Sequence, residues 1–166
     1  AAELHDVGKV AVPDAILSKP GPLDEDEEAF MRRHTVIGES IIAEAPALRE
    51  VAALVRASHE RWDGTGYPDG LAGHAIPLGA RIVSVCDAFS AMRQKRPYGV
   101  VLDEEEALDE LRRGAGSQFD PALVAAFCVL RGSGGSGRFI RAARLEAQPD
   151  VVAAPVPAVA PVTEAA

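Results

Sequence analysis

The chain has 166 residues, nearly half of them apolar but few aromatic, and a net charge of −8. That length carries one domain with a real core, and the acidic balance excludes a protein whose work is to hold polymeric nucleic acid by its phosphates, though not one that takes a small phosphate ligand. No apolar run reaches the roughly 20 residues that cross a bilayer and no signal peptide opens the chain, so it reads as soluble and cytoplasmic, with Cys86 and Cys128 as reduced, buried thiols on apolar helices.

Helix formers dominate and apolar residues recur at helical rather than alternating spacing, so the expected class is all-α. Residues 1–9 read as a helix ending near Gly8-Lys9, and the opening Ala1-Ala2-Glu3, without Met, reads as a start inside a longer protein. His5 and Asp6 would stand about 100° apart on that helix, and Lys9 would return to the face of His5, so an imidazole, a carboxylate and an ammonium group can border one pocket. Taken alone, these residues read better as a solvated surface group.

Prolines between positions 13 and 23 make an irregular connection. Asp24 and Glu27 then form a capping box, opening a helix along which Phe30, His34, Ile37 and Ile41 make a buried stripe. After Pro46 another helix carries Leu48, Ala52, Val55 and His59 at the same spacing. A lone inward histidine is more often a packed core residue, but His34 and His59 on successive helices are harder to explain by packing.

His59 opens the stretch His59-Glu60-Arg61-Trp62-Asp63-Gly64-Thr65-Gly66-Tyr67-Pro68, whose glycines and proline forbid helix and let backbone pass close to a ligand. Leu78, Ile82, Val85, Phe89 and Met92 mark the stripe of a further helix. Asp87 is its lone carboxylate, off that stripe among Val83, Ser84, Ser90 and Ala91. A buried carboxylate costs several kcal/mol unless paired or metal-bound, and a salt bridge to Arg81 or Arg93 is the alternative to a metal. Arg93 to Tyr98 is a basic exit. Asp103 and Glu106 form a second capping box, Leu108 and Leu111 face inward, and Gly114 ends that helix. Asp120-Pro121 opens the next, with Leu123, Val124, Phe127 and Leu130 packing behind. The domain spans 1–131, followed by a Gly/Ser linker over 132–137, a short basic helix over 138–146 and a disordered Ala/Pro/Val tail over 147–166.

Together, His5-Asp6-Val7-Gly8-Lys9-Val10-Ala11-Val12-Pro13, His34, the stretch from His59 to Pro68, Asp87 and Arg96-Pro97-Tyr98 resemble the HD-GYP family of HD-superfamily phosphohydrolases, over residues 1 to about 130. The resemblance implies an HD-type helical bundle with irregular Gly/Pro loops and its first helices lying before residue 1. It implies a cyclic di-GMP phosphodiesterase holding two divalent ions, iron or manganese. His5 and Asp6 are then metal ligands with Asp6 bridging, His34 and His59 serve the second ion, and Asp87 serves the first. Lys9 would contact the scissile phosphate, and Gly66, Tyr67, Pro68 and Arg96 would be substrate-side elements. Ser58-His59 stands where many members have adjacent histidines, which implies two ions rather than three.

Metals about 3.5–4 Å apart would hold a bridging hydroxide that attacks phosphorus in line, with Lys9 stabilising phosphoryl charge. Mixed imidazole and carboxylate ligands suit iron, manganese or zinc. The competing reading is a degenerate module that binds cyclic di-GMP or a partner protein without hydrolysis, favoured by Ser90 and Gly99 where many members carry an aspartate and a basic residue. Hydrolysis of another nucleotide is a third. An upstream sensory or receiver domain and a homodimer are left open.

Overall fold

Capping boxes open helices at both expected places. Asp24 accepts the Glu27 amide while Glu27 returns to the Asp24 N–H, starting α2 (Glu25–Arg32), and Asp103 with Glu106 does the same for α6 (Glu104–Gly114). The computed structural model describes residues 1–94 and 101–132. The remaining helices are the single turn α1 (Asp14–Leu17), α3 (His34–Ala43), α4 (Arg49–Arg56), α5 (Leu78–Arg93) and α7 (Pro121–Gly132). Among the described residues there is no strand, only isolated bridges joining Asp63 to Ala72 and Ala115 to Phe119, so the all-α expectation holds. No helix among them is long and apolar enough to cross a membrane. Arg96, Pro97, Tyr98 and Gly99, with the expected short helix and tail, lie outside the described residues, whereas Gly132, placed in the linker from sequence, is the last residue of α7.

Several details differ from the sequence reading. Residues 2–6 form turns and Val7–Ala11 a 3-10 helix, not the end of an α-helix. The cause is at Gly8, whose backbone lies against α3: a Cβ there would fall 1.9 Å from the His34 carbonyl oxygen and 2.6 Å from the Gly38 nitrogen. The expected single helix through Phe30 and Ile41 is broken at Arg33, and the shift in phase buries His34, Thr35, Gly38 and Ile42 while Ile41 is exposed. Leu48 sits on an exposed 3-10 turn ahead of α4, which buries Ala52 and Val55.

Along α5 the buried residues are Ala80, Val83, Val85 and Phe89. Leu78 and Ile82 are exposed, because the small side chain of Ala80 takes the close contact with Ala57 and Ile76. Cys86, four residues past Ile82, shares that outer strip and is exposed rather than buried, and Cys128 is half-buried. On α7, Val124 is buried and Leu130 is exposed.

The largest apolar cluster joins Val85 and Phe89 of α5 to Leu108, Leu111, Phe119 and Val124, and a second joins Ile42, Ala52 and Val55 to Leu4 and Val7. The second cluster brings the N-terminal turn, α3 and α4 together, and Ala80 against Ala57 sets α5 beside the turn that follows α4.

Candidate metal centre

Each imidazole arrives from a different element. His5 lies in the N-terminal turns, and its Nδ1 is 2.7 Å from the Ala2 carbonyl oxygen. His34 begins α3, and its Nδ1 is 2.7 Å from the Met31 carbonyl oxygen. A carbonyl oxygen can only accept, so both Nδ1 atoms carry the proton, and in the neutral ring Nε2 presents a lone pair. His59 closes the 3-10 turn Ala57–His59 that follows α4, with its ring centroid 4.8 Å from that of His34 and 6.5 Å from that of His5.

Asp6 stands between them. Its Oδ1 is 3.6 Å from His34 Nε2, and its Oδ2 is 3.6 Å from His5 Nε2 and 2.7 Å from Lys9 Nζ. His5 Nε2 also faces Asp87 Oδ1 at 3.5 Å. The structure thus brings His5, Asp6, Lys9, His34, His59 and Asp87 to one place. Neither arginine proposed as a partner for Asp87 serves it, since Arg81 pairs with Asp120 at 2.5 Å and Arg93 with Glu104 at 2.8 Å.

The chemistry of the donors fits a divalent cation. Among the described residues, the buried side-chain atoms without a hydrogen-bond partner are Asp6 Oδ1, His34 Nε2 and His59 Nε2. A buried acceptor left unpaired costs about 1–3 kcal/mol, yet Asp6, His34 and His59 each bring one donor atom within 4.8 Å of the others, as ligands of a single ion would. Burial, and then the neighbouring His34, lower the His59 pKa to about 4, and burial lowers that of His34, so both rings are neutral and able to ligate near pH 7. At the other end the Asp87 carboxylate raises the His5 pKa, and His5 in turn lowers that of Asp87. His5 Nε2 thus lies between Asp6 Oδ2 and Asp87 Oδ1, at the edge of the Asp6, His34 and His59 group.

A cavity of about 310 Å³ is bordered by His5, Ser58, His59, Tyr67, Asp87 and Gln118. Tyr67 is half-buried, and burial raises its pKa to about 12, so its hydroxyl keeps its proton. Gly66 lies against its own chain, since a Cβ there would lie 2.3 Å from the Arg61 nitrogen and 2.6 Å from the Glu60 Cα. Sequence reasoning missed Gln118, which borders the cavity from the loop before α7, and Glu60, a buried carboxylate beside His59. The sequence signal for Glu60 was its place beside an inward histidine, within the stretch from His59 to Pro68.

A sequence profile of the family described as HD domain matches residues 1–123. The cyclic di-GMP phosphodiesterase response regulator RpfG of Xanthomonas campestris pv. campestris is 48% identical over 80% of this chain and 35% of its own length. A cyclic di-GMP phosphodiesterase of Thermotoga maritima is 44% identical over 78% of this chain and 36% of its length. The 3'3'-cGAMP-specific phosphodiesterase 2 of Vibrio cholerae is 44% identical over 75% and 24%. The chain therefore spans about a third or less of the length of these relatives. A solved cyclic GMP-AMP-specific phosphodiesterase of V. cholerae (V-cGAP3) shares the fold at a TM-score of 0.60 and 21% identity, over 79% of this chain and 36% of that one.

Proposed function

The chain belongs to the HD domain family, in its HD-GYP branch, and from that premise we propose that it holds two divalent cations, iron or manganese, and hydrolyses cyclic di-GMP. The observation that carries the reading is the set of partnerless buried atoms on Asp6, His34 and His59. His34, His59 and Asp6 Oδ1 would hold one ion, and His5, Asp87 and Asp6 Oδ2 the other, with Asp6 as the shared ligand. Such a pair supplies Lewis-acid charge at phosphoryl oxygens and makes water acidic enough to serve as a nucleophile near neutral pH.

The chain's own groups do the rest. The fixed Nδ1 protons of His5 and His34 keep Nε2 aimed inward. The Lys9 ammonium, half-exposed beside Asp6 Oδ2, donates to a phosphoryl oxygen and stabilises charge that builds there in the transition state. Tyr67 borders the cavity as a neutral donor. Arg96, outside the described residues, is the cation that the motif adds on the substrate side.

A specific observation favours a second cyclic dinucleotide, because relatives of 37–44% identity are named as 3'3'-cGAMP-specific phosphodiesterases. The test is metal analysis of the purified chain, followed by turnover of cyclic di-GMP and 3'3'-cGAMP. Two ions per chain and loss of hydrolysis in His59→Ala, with helical circular dichroism retained, are expected. Unchanged turnover in His59→Ala would refute the assignment, and binding of nucleotide without product by metal-loaded protein would make the chain a binding module instead.

A further inference from the structure

His59 differs from the other imidazoles of the cluster. Nδ1 of His5 and of His34 is tied to a backbone carbonyl, but among the described residues no hydrogen bond fixes the His59 ring. Such a ring is free to turn about its χ2 bond and point its lone pair elsewhere. What covers it is Tyr67, whose ring lies face to face with His59 at 5.2 Å between centroids and 4° between planes. Tyr67 also meets His34 edge-on at 6.4 Å, and the Arg32 guanidinium stands 5.2 Å from its centroid.

Tyr67 in turn is held by its loop. Its N–H donates to the His59 carbonyl at 3.2 Å, and Gly66 lies against the Glu60-Arg61 backbone. Glu60, 3% exposed, accepts the Asp69 N–H at 2.7 Å and the Leu71 N–H at 3.0 Å, one on each carboxylate oxygen. Burying a carboxylate is costly, and charge-assisted bonds to backbone amides offset the cost only while the loop stays in place. Arg56 extends the hold: it pairs with both oxygens of Asp69 and with Glu39 of α3, each at 2.7 Å, which ties the loop to the helix that carries His34.

We propose that Glu60 and Tyr67 are positioning residues for His59: Glu60 fixes the loop over residues 66–71 so that the Tyr67 ring stacks on the imidazole and keeps its Nε2 toward Asp6 and His34. The Gly-Tyr-Pro loop is then a buttress for a ligand as well as a wall of the cavity. The inference rests on the metal reading above.

The test uses the full chain, stripped of metal and titrated with Mn²⁺ against a chromogenic chelator, in unsubstituted, Tyr67→Phe, Tyr67→Ala and Glu60→Gln forms. Tyr67→Phe keeps the stacked ring and retains the affinity. Tyr67→Ala lowers it about 10–100-fold, the loss seen when groups that orient a ligand are removed, and Glu60→Gln, with one acceptor oxygen in place of two, falls between. In the metal-free protein, the His59 ring resonances in ¹⁵N-edited NMR shift in Tyr67→Ala and not in Tyr67→Phe.

If Tyr67→Ala does not fold, Tyr67→Leu, which keeps bulk without a flat face, carries the same expectation. Affinity and ring resonances unchanged in Tyr67→Ala or Tyr67→Leu, with only KM raised, would overturn the inference and leave the metal reading standing. Failure of the unsubstituted chain to take up any divalent cation would overturn both.

Discussion

Gly8→Ala probes the contact on which the centre depends. An ordinary Cβ contact begins near 3.4 Å, but the new methyl would stand 1.9 Å from the His34 carbonyl oxygen and 2.6 Å from the Gly38 nitrogen. Both neighbours are backbone, so no side chain can swing aside, and the 3-10 turn must move away from α3 by about 1.5 Å. Asp6 precedes Gly8 by two residues, and its Oδ1 would retreat from 3.6 Å to about 5 Å from His34 Nε2, too far to share an ion. Overpacking of this kind costs about 1–3 kcal/mol. Val7 would also loosen from the cluster of Ile42, Ala52 and Val55. At about 2–4 °C per kcal/mol, a loss of about 3 kcal/mol lowers Tm by about 6–12 °C. Scanning calorimetry of the metal-free protein reads the stability, and plasma emission after dialysis reads the bound ions. Gly132→Ala, where a Cβ meets nothing within 4 Å, is the control. A Gly8→Ala protein that melts with the unsubstituted chain and binds the same metal would refute the argument.

Arg81→Ala strips the counter-ion from a carboxylate that is 4% exposed at Asp120, leaving it only the Ala122 and Leu123 amides, and removes a guanidinium 5.8 Å from the Trp62 ring centroid. Leaving that charge buried and unpaired costs about 3–5 kcal/mol, and a urea midpoint shift worth under about 1 kcal/mol would count against the pair's importance. Divalent cation stabilises the fold by about 2.7 kcal/mol at 100 times Kd, because it satisfies Asp6 Oδ1, His34 Nε2 and His59 Nε2 in the folded state alone and so raises Tm, and His59→Ala removes most of that rise in a melting assay. The Asp69 carboxyl is held below its usual range by Arg56, so the unfolded chain binds the proton more readily. The stability it contributes is present above about pH 3.8 and is lost as pH falls through the lowered value. Arg56→Met therefore shows a shallower loss of stability between pH 5 and 3, and identical acid limbs in urea titrations would contradict the pairing.

What could be read from the chain and what could not divide along the distinction between local and distant causes. Both capping boxes, the Asp120-Pro121 start of α7 and the inward sense of His34 depend on residues within a turn of each other, and spacing reveals them. The break at Arg33 has no proline or glycine to announce it, so the phase change that buries Ile42 in place of Ile41 was hidden. The 3-10 form of Val7–Ala11 depends on how close α3 comes to Gly8, which is a tertiary fact. The role of Glu60 was hidden for a related reason. Its partners are backbone amides at Asp69 and Leu71, and amides carry no signature in a sequence.

Charge would tie the centre to the proposed substrate. Asp6 and Asp87 contribute negative charge, Lys9 positive charge, and the lowered pKa values of His34 and His59 keep those rings neutral near pH 7. Without cations the pocket matches the acidic balance of the whole chain and would repel a phosphodiester. On the proposed reading, filling both donor sets would reverse that sign locally, so that affinity for an anionic cyclic dinucleotide would be gained at the same step as the power to activate water. Nucleotide binding should therefore vanish on chelation along with turnover. Cyclic di-GMP bound equally well in excess chelator, measured by calorimetry, would place the substrate elsewhere on the surface.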